Sequence, residues 1–171
     1  MNEQELEKKL SVAYDKMMER VNQLLDKAEH QALPMLQKNI DKAKSQAIEL
    51  KEVTSEEAEK LAKYLKRDLH DAAEYISRSG KELSTWLNFD LELVEDRLLE
   101  IFEKVADKTS TELAQLAAQA KQATEYNTGE ITSIGTLACK SCETLMHFKK
   151  TGRIPPCPKC HKTLFVRTRH K

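Results

Sequence analysis

All four cysteines of the chain lie close together, as two Cys-x-x-Cys pairs. Cys139 and Cys142 form the first pair, Cys157 and Cys160 form the second, and fourteen residues separate the pairs. A tetrahedral zinc site takes four ligands, each at about 2.3 Å when the ligand is a thiolate, and one Cys-x-x-Cys turn can supply two of them. The intervening residues are enough for a hairpin that brings the second pair back to the first. The pattern therefore predicts one structural zinc ion held by all four cysteines.

Three other chemistries use similar cysteine pairs. Rubredoxin holds iron with four thiolates, but the helical diiron bundle that accompanies such a unit in rubrerythrin needs Glu-x-x-His ligands. Here the residues three positions before His30 and His70 are Lys27 and Arg67. Residues 157–161 match the pattern of haem attachment, which would leave the first pair unexplained, and a dithiol redox motif belongs in a βαβ unit that the sequence lacks. Zinc is the preferred interpretation, and rubredoxin-like electron transfer by iron is an alternative.

Two histidines, His147 and His161, lie near the cysteines in the sequence. Four sulfurs already fill a tetrahedral shell, so we expect both imidazoles at the surface rather than on the metal. A closed four-sulfur site also keeps no position for a reactive water molecule. The sequence contains no Gly-rich phosphate loop, no G-x-S-x-G and no His-Glu-x-x-His motif. It therefore predicts a protein that is not an enzyme.

The segments that carry the cysteines are rich in β-branched residues and glycine. NTGEITSIGTLAC leads into the first pair, and TLFVRT follows the second. Between the pairs, TLMHFK alternates, so that Met146 and Phe148 share one side of a strand while Leu145 and His147 share the other. Short strands with cysteines at their turns are typical of zinc ribbons. We therefore predict a three-stranded, rubredoxin-like zinc ribbon over residues 126–171, which is too small to fold without its metal.

The part of the chain before the ribbon has a different composition. Residues 1–126 contain a single glycine, Gly80, and a single proline, Pro34, among many Glu, Lys, Leu, Ala and Gln residues. That composition favours helix, and apolar residues recur at spacings of three and four. The clearest apolar seams are Leu6, Leu10, Tyr14, Met17 and Val21, then Ile40, Ala43 and Ala47, and then Ala58, Leu61, Leu65 and Leu69.

Local signals predict where the helices begin and end. Pro34 must begin a new segment or kink the first one, because it lacks an N–H group. Thr54 and Glu57 form a capping box that begins another helix, and Gly80 is a typical C-terminal stop. The predicted helices span residues 2–52 (with a break or kink near Pro34), 54–79 and 81–125.

The body that these helices predict is mainly α. Apolar spacings sustained over several turns resemble a coiled-coil seam, and a single long helix cannot leave such a seam in water. We predict, over residues 1–125, an antiparallel helical hairpin or three-helix coiled-coil-like bundle, with Trp86 and Phe89 packed in its core. The same seams make the body a candidate for homo-oligomerisation.

The formal net charge of zero is the sum of two opposite charges on two parts of the chain. Residues 127–171 contain nine Lys/Arg against two Asp/Glu, which gives +7, and residues 1–126 contain nineteen against twenty-six, which gives −7. A basic surface of this kind can bind phosphates, although it contains no base-reading motif. It can also dock on the acidic helical body, within one chain or between chains. The candidate residues for partner or nucleic-acid contacts are Phe148, Lys149, Lys150, Arg153, Lys159, Lys162, Arg167 and Arg169, with Phe165 as a further candidate for base stacking.

The chain shows no signal for export or membrane insertion. Its first residues, MNEQELEKKL, are polar, and no stretch approaches the ~18 apolar residues that suggest a transmembrane helix. We therefore expect a cytoplasmic protein in a reducing compartment, where paired cysteines more often bind metal than form disulfides.

Several motifs together resemble one known family. YNTGEITSIGTLACKSC, the CPKC turn, and LKRDL and VADKTSTEL in the helical part resemble the YbeL-like bacterial proteins, which join a helical N-terminal region to a zinc ribbon. The resemblance covers nearly the whole chain and is strongest over residues 126–167. It implies zinc at the four cysteines and a cytosolic bacterial protein, and it implies no activity. His161 stands where many ribbons have glycine, a residue that suits a positive φ better.

The leading interpretation of the sequence is a non-catalytic zinc-binding protein. It would act as an interaction, scaffold or regulatory factor, with a protein partner that the sequence does not name. The alternative is a factor that binds nucleic acid or associates with the transcription machinery through the basic ribbon. That alternative draws on fold-level analogy with factors that combine a coiled coil and a zinc module.

Overall fold

The computed structural model describes residues 1–27, 35–79 and 125–167. Within them the chain forms three helices followed by a small antiparallel sheet region that carries the four cysteines. The helices are α1 (Glu3–Lys27), α2 (Met35–Glu49) and α3 (Ser55–Ser79). None of these helices combines the length and the apolar composition that a membrane crossing requires.

Part of the predicted helical body lies outside the described residues. This applies to the predicted helix over residues 81–125, to its Trp86 and Phe89, and to Pro34 and Gly80. The coiled-coil interpretation of that segment stays a prediction.

The first turns of α1 and α3 are closed by capping boxes. At α3 the predicted box is confirmed, because the N–H of Glu57 donates to Thr54 Oγ1 (3.2 Å) and the N–H of Thr54 donates to Glu57 Oε2 (2.8 Å). At α1, Asn2 and Glu5 exchange the same two bonds, at 2.8 and 2.9 Å. Each box satisfies two backbone donors that a helix start otherwise leaves without a partner.

The C-terminal end of α2 is a Schellman motif built on a lysine. The N–H of Lys51 donates to the carbonyl of Ile48 at 3.0 Å. The N–H of Glu52 donates to the carbonyl of Ala47, also at 3.0 Å. Lys51 has a φ of 56°, in the left-handed region that usually holds glycine at this position. The helix therefore ends at Glu49 rather than near the predicted residue 52.

The three helices pack around one apolar core, and the predicted seams supply most of its described residues. Lys44 pairs with Glu59 (2.9 Å) and Lys66 donates to Gln37 (2.6 Å), so α2 and α3 run in opposite directions. The buried helical and connecting residues of this core are Ala13, Tyr14, Met17, Met18, Val21, Ile40, Ala43, Ala47, Val53, Ala58, Leu61, Ala62, Leu65 and Leu69.

Over residues 125–167 the ribbon forms six short strands in two sheets. The strands are β1 (Tyr126–Asn127), β2 (Ile131–Thr132), β3 (Gly135–Cys139), β4 (Leu145–Phe148), β5 (Gly152–Arg153) and β6 (Leu164–Arg167). The larger sheet has the order β1-β6-β3-β4, and β2 pairs with β5 in a second sheet, with antiparallel pairing throughout.

The prediction of three strands was therefore too simple. Strands β3, β4 and β6 correspond to the predicted ones, and Met146 and Phe148 of β4 are half-buried while Leu145 and His147 are exposed, as the alternation predicted. The segment before the first cysteine does not form one continuous strand. At Ser133 the backbone leaves the sheet, because its N–H donates to a carboxylate of α3 instead of to a neighbouring strand.

Two residues of the ribbon belong to the core of the helices. Ile131 and Ile134 are 1% and 2% exposed and lie in the same apolar cluster as the seams of the helices. Among the described residues, the buried members of the remaining ribbon core are Tyr126, Leu137, Cys139, Ile154, Cys157 and Phe165. The ribbon is thus packed against the helical body rather than tethered beside it.

Candidate metal centre

The four cysteine sulfurs converge on one point of the ribbon. All four Sγ atoms lie within 4.8 Å of one another, and two pairs, Cys139 with Cys160 and Cys142 with Cys157, are each 3.5 Å apart. Thiolates at about 2.3 Å from a tetrahedral zinc ion would lie about 3.8 Å apart. All four cysteines are free, with the observed separations well beyond the ~2.05 Å of a disulfide. The donor set therefore fits a four-sulfur metal site.

Both Cys-x-x-Cys turns are shaped by the same backbone hydrogen bonds. In the first turn the N–H of Cys139 donates to the carbonyl of Thr144 (3.0 Å), and the N–H of Glu143 donates back to the carbonyl of Cys139 (2.9 Å). The second turn repeats both bonds around Cys157, each at 2.9 Å. Two equivalent turns therefore present their sulfurs to each other.

Each turn doubles back through a residue with positive φ. His161 has a φ of 60°, which confirms the expected positive value at this position, and Glu143 has a φ of 59° at the same place in the first turn. Neither is glycine, so each turn keeps a conformation that side chains disfavour. The sequence did not single out Glu143. A positive φ was considered only at His161, where many ribbons have glycine.

The first and second cysteines of each pair differ in exposure. Cys139 and Cys157 are 1% and 0% exposed, whereas Cys142 and Cys160 are half-buried. Cys142 Sγ lies 3.2 Å from Thr144 Oγ1. Hydrogen bonding with the side chain and the backbone of Thr144 lowers the pKa of Cys142 to about 6. The first turn therefore favours a thiolate at near-neutral pH.

The pKa values of Cys157 and Cys160 show how neighbouring sulfurs oppose the ionisation of all four cysteines. Backbone N–H groups, that of Cys160 first, lower the pKa of Cys157. The N–H of Lys162 also favours the Cys160 thiolate, but burial and three neighbouring sulfurs outweigh it and raise the pKa of Cys160 to about 12. Four negative sulfurs repel one another unless a cation lies between them. A divalent, thiophilic metal such as zinc supplies that charge.

The two nearby histidines are not part of the sulfur cluster. His147 and His161 are both exposed, and Nδ1 of His147 lies 2.9 Å from Thr136 Oγ1 on the neighbouring strand. Among the described residues, the cluster that could hold a metal consists of the four cysteines alone.

The predicted contact residues have different environments. Phe148 is half-buried against the ribbon core, and Arg153 is half-buried with its Nη1 at 2.5 Å from Oε1 of Glu3 in α1. Arg169 lies outside the described residues. The exposed members of the predicted set are Lys149, Lys150, Lys159 and Lys162.

Arg167 was predicted as a candidate contact residue, but it is buried. Its side chain is 3% exposed and donates to Asp68 of α3, whose side chain is 0% exposed. Phe165 is fully buried, so it does not offer a face for base stacking. Charge counts cannot distinguish a buried arginine from an exposed one, and the partner of Arg167 is 99 residues away in the chain. Sequence reasoning also missed Asp68, which no local motif marks.

The comparison with protein families identifies the chain. The family model of the zinc-ribbon containing domain matches residues 19–169, so the chain belongs to this family, as the resemblance in its motifs implied. No curated protein and no solved structure gives a significant match.

Proposed function

We propose that the protein is a non-catalytic zinc-binding protein in which one Zn²⁺ ion stabilises the ribbon. The ligands in this proposal are Cys139, Cys142, Cys157 and Cys160. The observation that carries the proposal is the convergence of four free sulfurs from two turns with matching backbone bonds. Zinc bound there supplies a cross-link between the turns and the charge that four thiolates need.

The chain's own residues prepare this site. Cys139 and Cys157 belong to the ribbon core beside Leu137 and Phe165, so the same sulfurs that would bind metal also fill the interior. Thr144 favours the thiolate of Cys142. Because the ribbon core has so few members, metal binding and folding of the ribbon are expected to be one event.

We further propose an interaction or scaffold role rather than catalysis. A site closed by four sulfurs has no open position for a substrate or a water molecule. The helical body offers length, and the ribbon offers exposed lysines and the exposed Leu145 on β4. These features support a contact surface for a protein partner and give no support to an active site.

Metal analysis of the purified full-length protein tests the proposal. We expect one zinc per chain, and less than a tenth of that in Cys142→Ser and Cys160→Ser variants, as is usual when a structural site loses one of four ligands. Variants His147→Ala and His161→Ala are the matched controls and should keep the metal. Stoichiometric iron with a visible absorbance band would favour the rubredoxin-like alternative instead. Absence of any stoichiometric metal would overturn the proposal.

A second candidate function is binding of nucleic acid. It is supported by Lys149 and Lys150 in one turn and by Lys159 and Lys162 around the second cysteine pair, since all four are exposed. Phosphate contacts by such lysines fall steeply with salt. We expect binding to single- or double-stranded nucleic acid at low salt in a gel-shift assay, weakened by Lys149→Gln with Lys150→Gln. The exposed helical Lys60→Gln is the control, and no shift at low salt rejects this function.

A further inference from the structure

A buried polar cluster joins the ribbon to α1 and α3. It is separate from the cysteines and brings together two acids, two arginines and two tyrosines. We call it the interface cluster, and its members are Tyr14, Arg67, Asp68, Asp71, Tyr126 and Arg167. Buried charges are costly unless they are paired and hydrogen-bonded, so such a cluster needs all of its parts in place.

Asp68 lies at the centre of the interface cluster with a side chain that is 0% exposed. Its carboxylate accepts hydrogen bonds from the hydroxyl of Tyr14 (2.7 Å) and from the N–H of Ser133 (2.9 Å). Nη2 of Arg167 lies 3.3 Å away, and Nε of Arg67 lies 3.2 Å away. Two of these four donors, Ser133 and Arg167, belong to the ribbon.

Besides Asp68, Arg167 donates to three groups of the ribbon that lie at this interface. Its Nη2 donates to Thr132 Oγ1 (3.0 Å), its Nη1 to the carbonyl of Ile134 (3.3 Å) and its Nε to the hydroxyl of Tyr126 (3.2 Å). Burial disfavours the cation, but the Tyr126 hydroxyl and the carboxylates of Asp68 and Asp71 outweigh it and raise the pKa of Arg167. The carboxylates of Asp68 and Asp71, both on α3, therefore compensate the buried charge of Arg167 across the contact between ribbon and helices.

Tyr126 connects the two arginines of the cluster. Its hydroxyl donates to Asp71 (2.5 Å), and its ring lies 3.9 Å from the guanidinium carbon of Arg67 and 4.9 Å from that of Arg167. Arg67 also donates to Glu130 and to the carbonyl of Ile131 (3.0 Å), both in the ribbon. Ring and guanidinium faces of this kind attract each other most strongly when water is excluded.

The strands that hold the interface cluster also hold the cysteine site. In the pairing of β3 with β6, Phe165 is opposite Cys139 and Arg167 is opposite Leu137. Ser133, which donates to Asp68, precedes Cys139 by six residues along the same segment. If the two cysteine turns separate, the pairing of β3 with β6 is no longer fixed at its cysteine end. The ribbon donors to Asp68 then lose the backbone that positions them.

We propose that metal binding at the four cysteines is coupled to closure of α1 and α3 over Asp68, through the interface cluster. This inference rests on the proposed zinc site. Loss of the metal releases the ribbon, which removes Arg167 and Ser133 from Asp68 and removes Ile131 and Ile134 from the core of the helices. The helices then loosen around a buried carboxylate that has lost its donors from the ribbon. The ribbon thus acts as a metal-dependent clamp on the helical body.

Hydrogen exchange with mass spectrometry on the full-length, metal-loaded protein tests the coupling. A chelator that strips the metal should speed amide exchange in the ribbon. It should also speed exchange by roughly tenfold or more in the parts of α1 and α3 that line the core (residues 13–21 and 58–69). The helices then open locally at a lower free energy, because opening no longer has to break contacts with the ribbon. Restoring zinc should restore protection in both regions.

The coupling must also act in the reverse direction. By linkage, closure of the interface cluster raises metal affinity by the same factor by which bound metal favours closure. A variant that disfavours closure should therefore lower metal affinity. Asp68→Asn should therefore weaken zinc binding by roughly tenfold in competition with a chromophoric chelator. Asp41→Asn, an exposed acid on α2, is the matched control and should leave the affinity unchanged. Should Asp68→Asn not fold, Tyr14→Phe removes a single bond to Asp68 and should weaken zinc binding less, but measurably.

The outcomes separate this coupling from the zinc proposal itself. If chelation speeds exchange in the ribbon and leaves α1 and α3 unchanged, the coupling is wrong and the zinc proposal stands. If chelation changes neither region, the zinc proposal fails, and the coupling fails with it. Faster exchange in both regions together with weaker zinc binding by Asp68→Asn supports both.

Discussion

The outer surface of the helices and the face between helices and ribbon use the same charged residue types in opposite ways. On α3, Lys60 pairs with Glu56 at 2.7 Å, with side chains that are 58% and 80% exposed. At the interface, Arg167 pairs with Asp68 at 3.3 Å, with side chains that are 3% and 0% exposed. The shorter pair, Lys60 with Glu56, contributes less to stability, because water screens its charges and can hydrate either side chain instead.

Distance alone does not rank these contacts. A buried carboxylate without its donors keeps its full desolvation penalty, whereas an exposed one is simply hydrated. The stability of the ribbon–helix junction therefore depends on a few long-range pairs. The helical surface carries many charges whose individual removal changes little.

The largest expected effect comes from removing a buried cysteine. Cys157→Ser should abolish metal binding and the folded ribbon, since structural zinc sites contribute on the order of 10 kcal/mol of apparent free energy. Loss of dispersed ribbon signals in an NMR spectrum is the measurement. Ser141→Ala, an exposed change inside the first turn, is the control. A dispersed ribbon spectrum for Cys157→Ser would show that the metal does not hold the ribbon.

The next largest effect should come from breaking the buried pair. Arg167→Met removes one of the two arginines that pair with the buried Asp68, and we expect a loss of about 3–5 kcal/mol in the free energy of unfolding by denaturant. The matched variant is Arg153→Met, which removes a ribbon arginine that pairs with Glu3 of α1, whose side chain is 77% exposed. We expect no measurable change for that variant. Equal losses in the two variants would break the contrast between buried and exposed pairs.

The capping box of α3 should give an intermediate effect. Thr54→Ala removes the side-chain acceptor of the Glu57 N–H and should lower the free energy of unfolding by about 1 kcal/mol. Ser55→Ala, at the next position, keeps the box intact and serves as the control. A thermal melt followed by circular dichroism measures both. No difference between the two variants would mean that the box does not stabilise α3.

The smallest effect concerns the acid side of the pH profile. The bidentate pair with Arg20 (2.7 and 2.8 Å) lowers the pKa of Glu52 below its ordinary value of 4.5. A lowered folded-state pKa adds stability that is present above pH 4.5 and is lost as the pH falls through the lowered value. Glu52→Gln should therefore cost under about 1 kcal/mol at pH 7 and nothing at the acid end. An equal cost at both pH values would assign the loss to packing instead.

Sequence patterns predicted the features that depend on neighbours along the chain. The cysteine spacing, the box at Thr54 and the alternation in β4 are local, and the helical seams follow a fixed period. The interface cluster could not be predicted in this way. Asp68 meets Tyr14 and Arg167 across 54 and 99 residues, and its own sequence environment, LKRDLH, reads as an ordinary charged helix. For the same reason the sequence placed Ile131 in a strand, where it lies, but did not indicate that its side chain packs in the core of the helices.

The most direct test of the account is X-ray absorption at the zinc edge on the full-length protein. A site closed by the four cysteines predicts four sulfur neighbours at about 2.3 Å and no nitrogen or oxygen neighbour near 2.0–2.1 Å. A nitrogen or oxygen in the first shell would mean that a histidine or water replaces a sulfur. A protein without bound zinc would contradict the central claim outright.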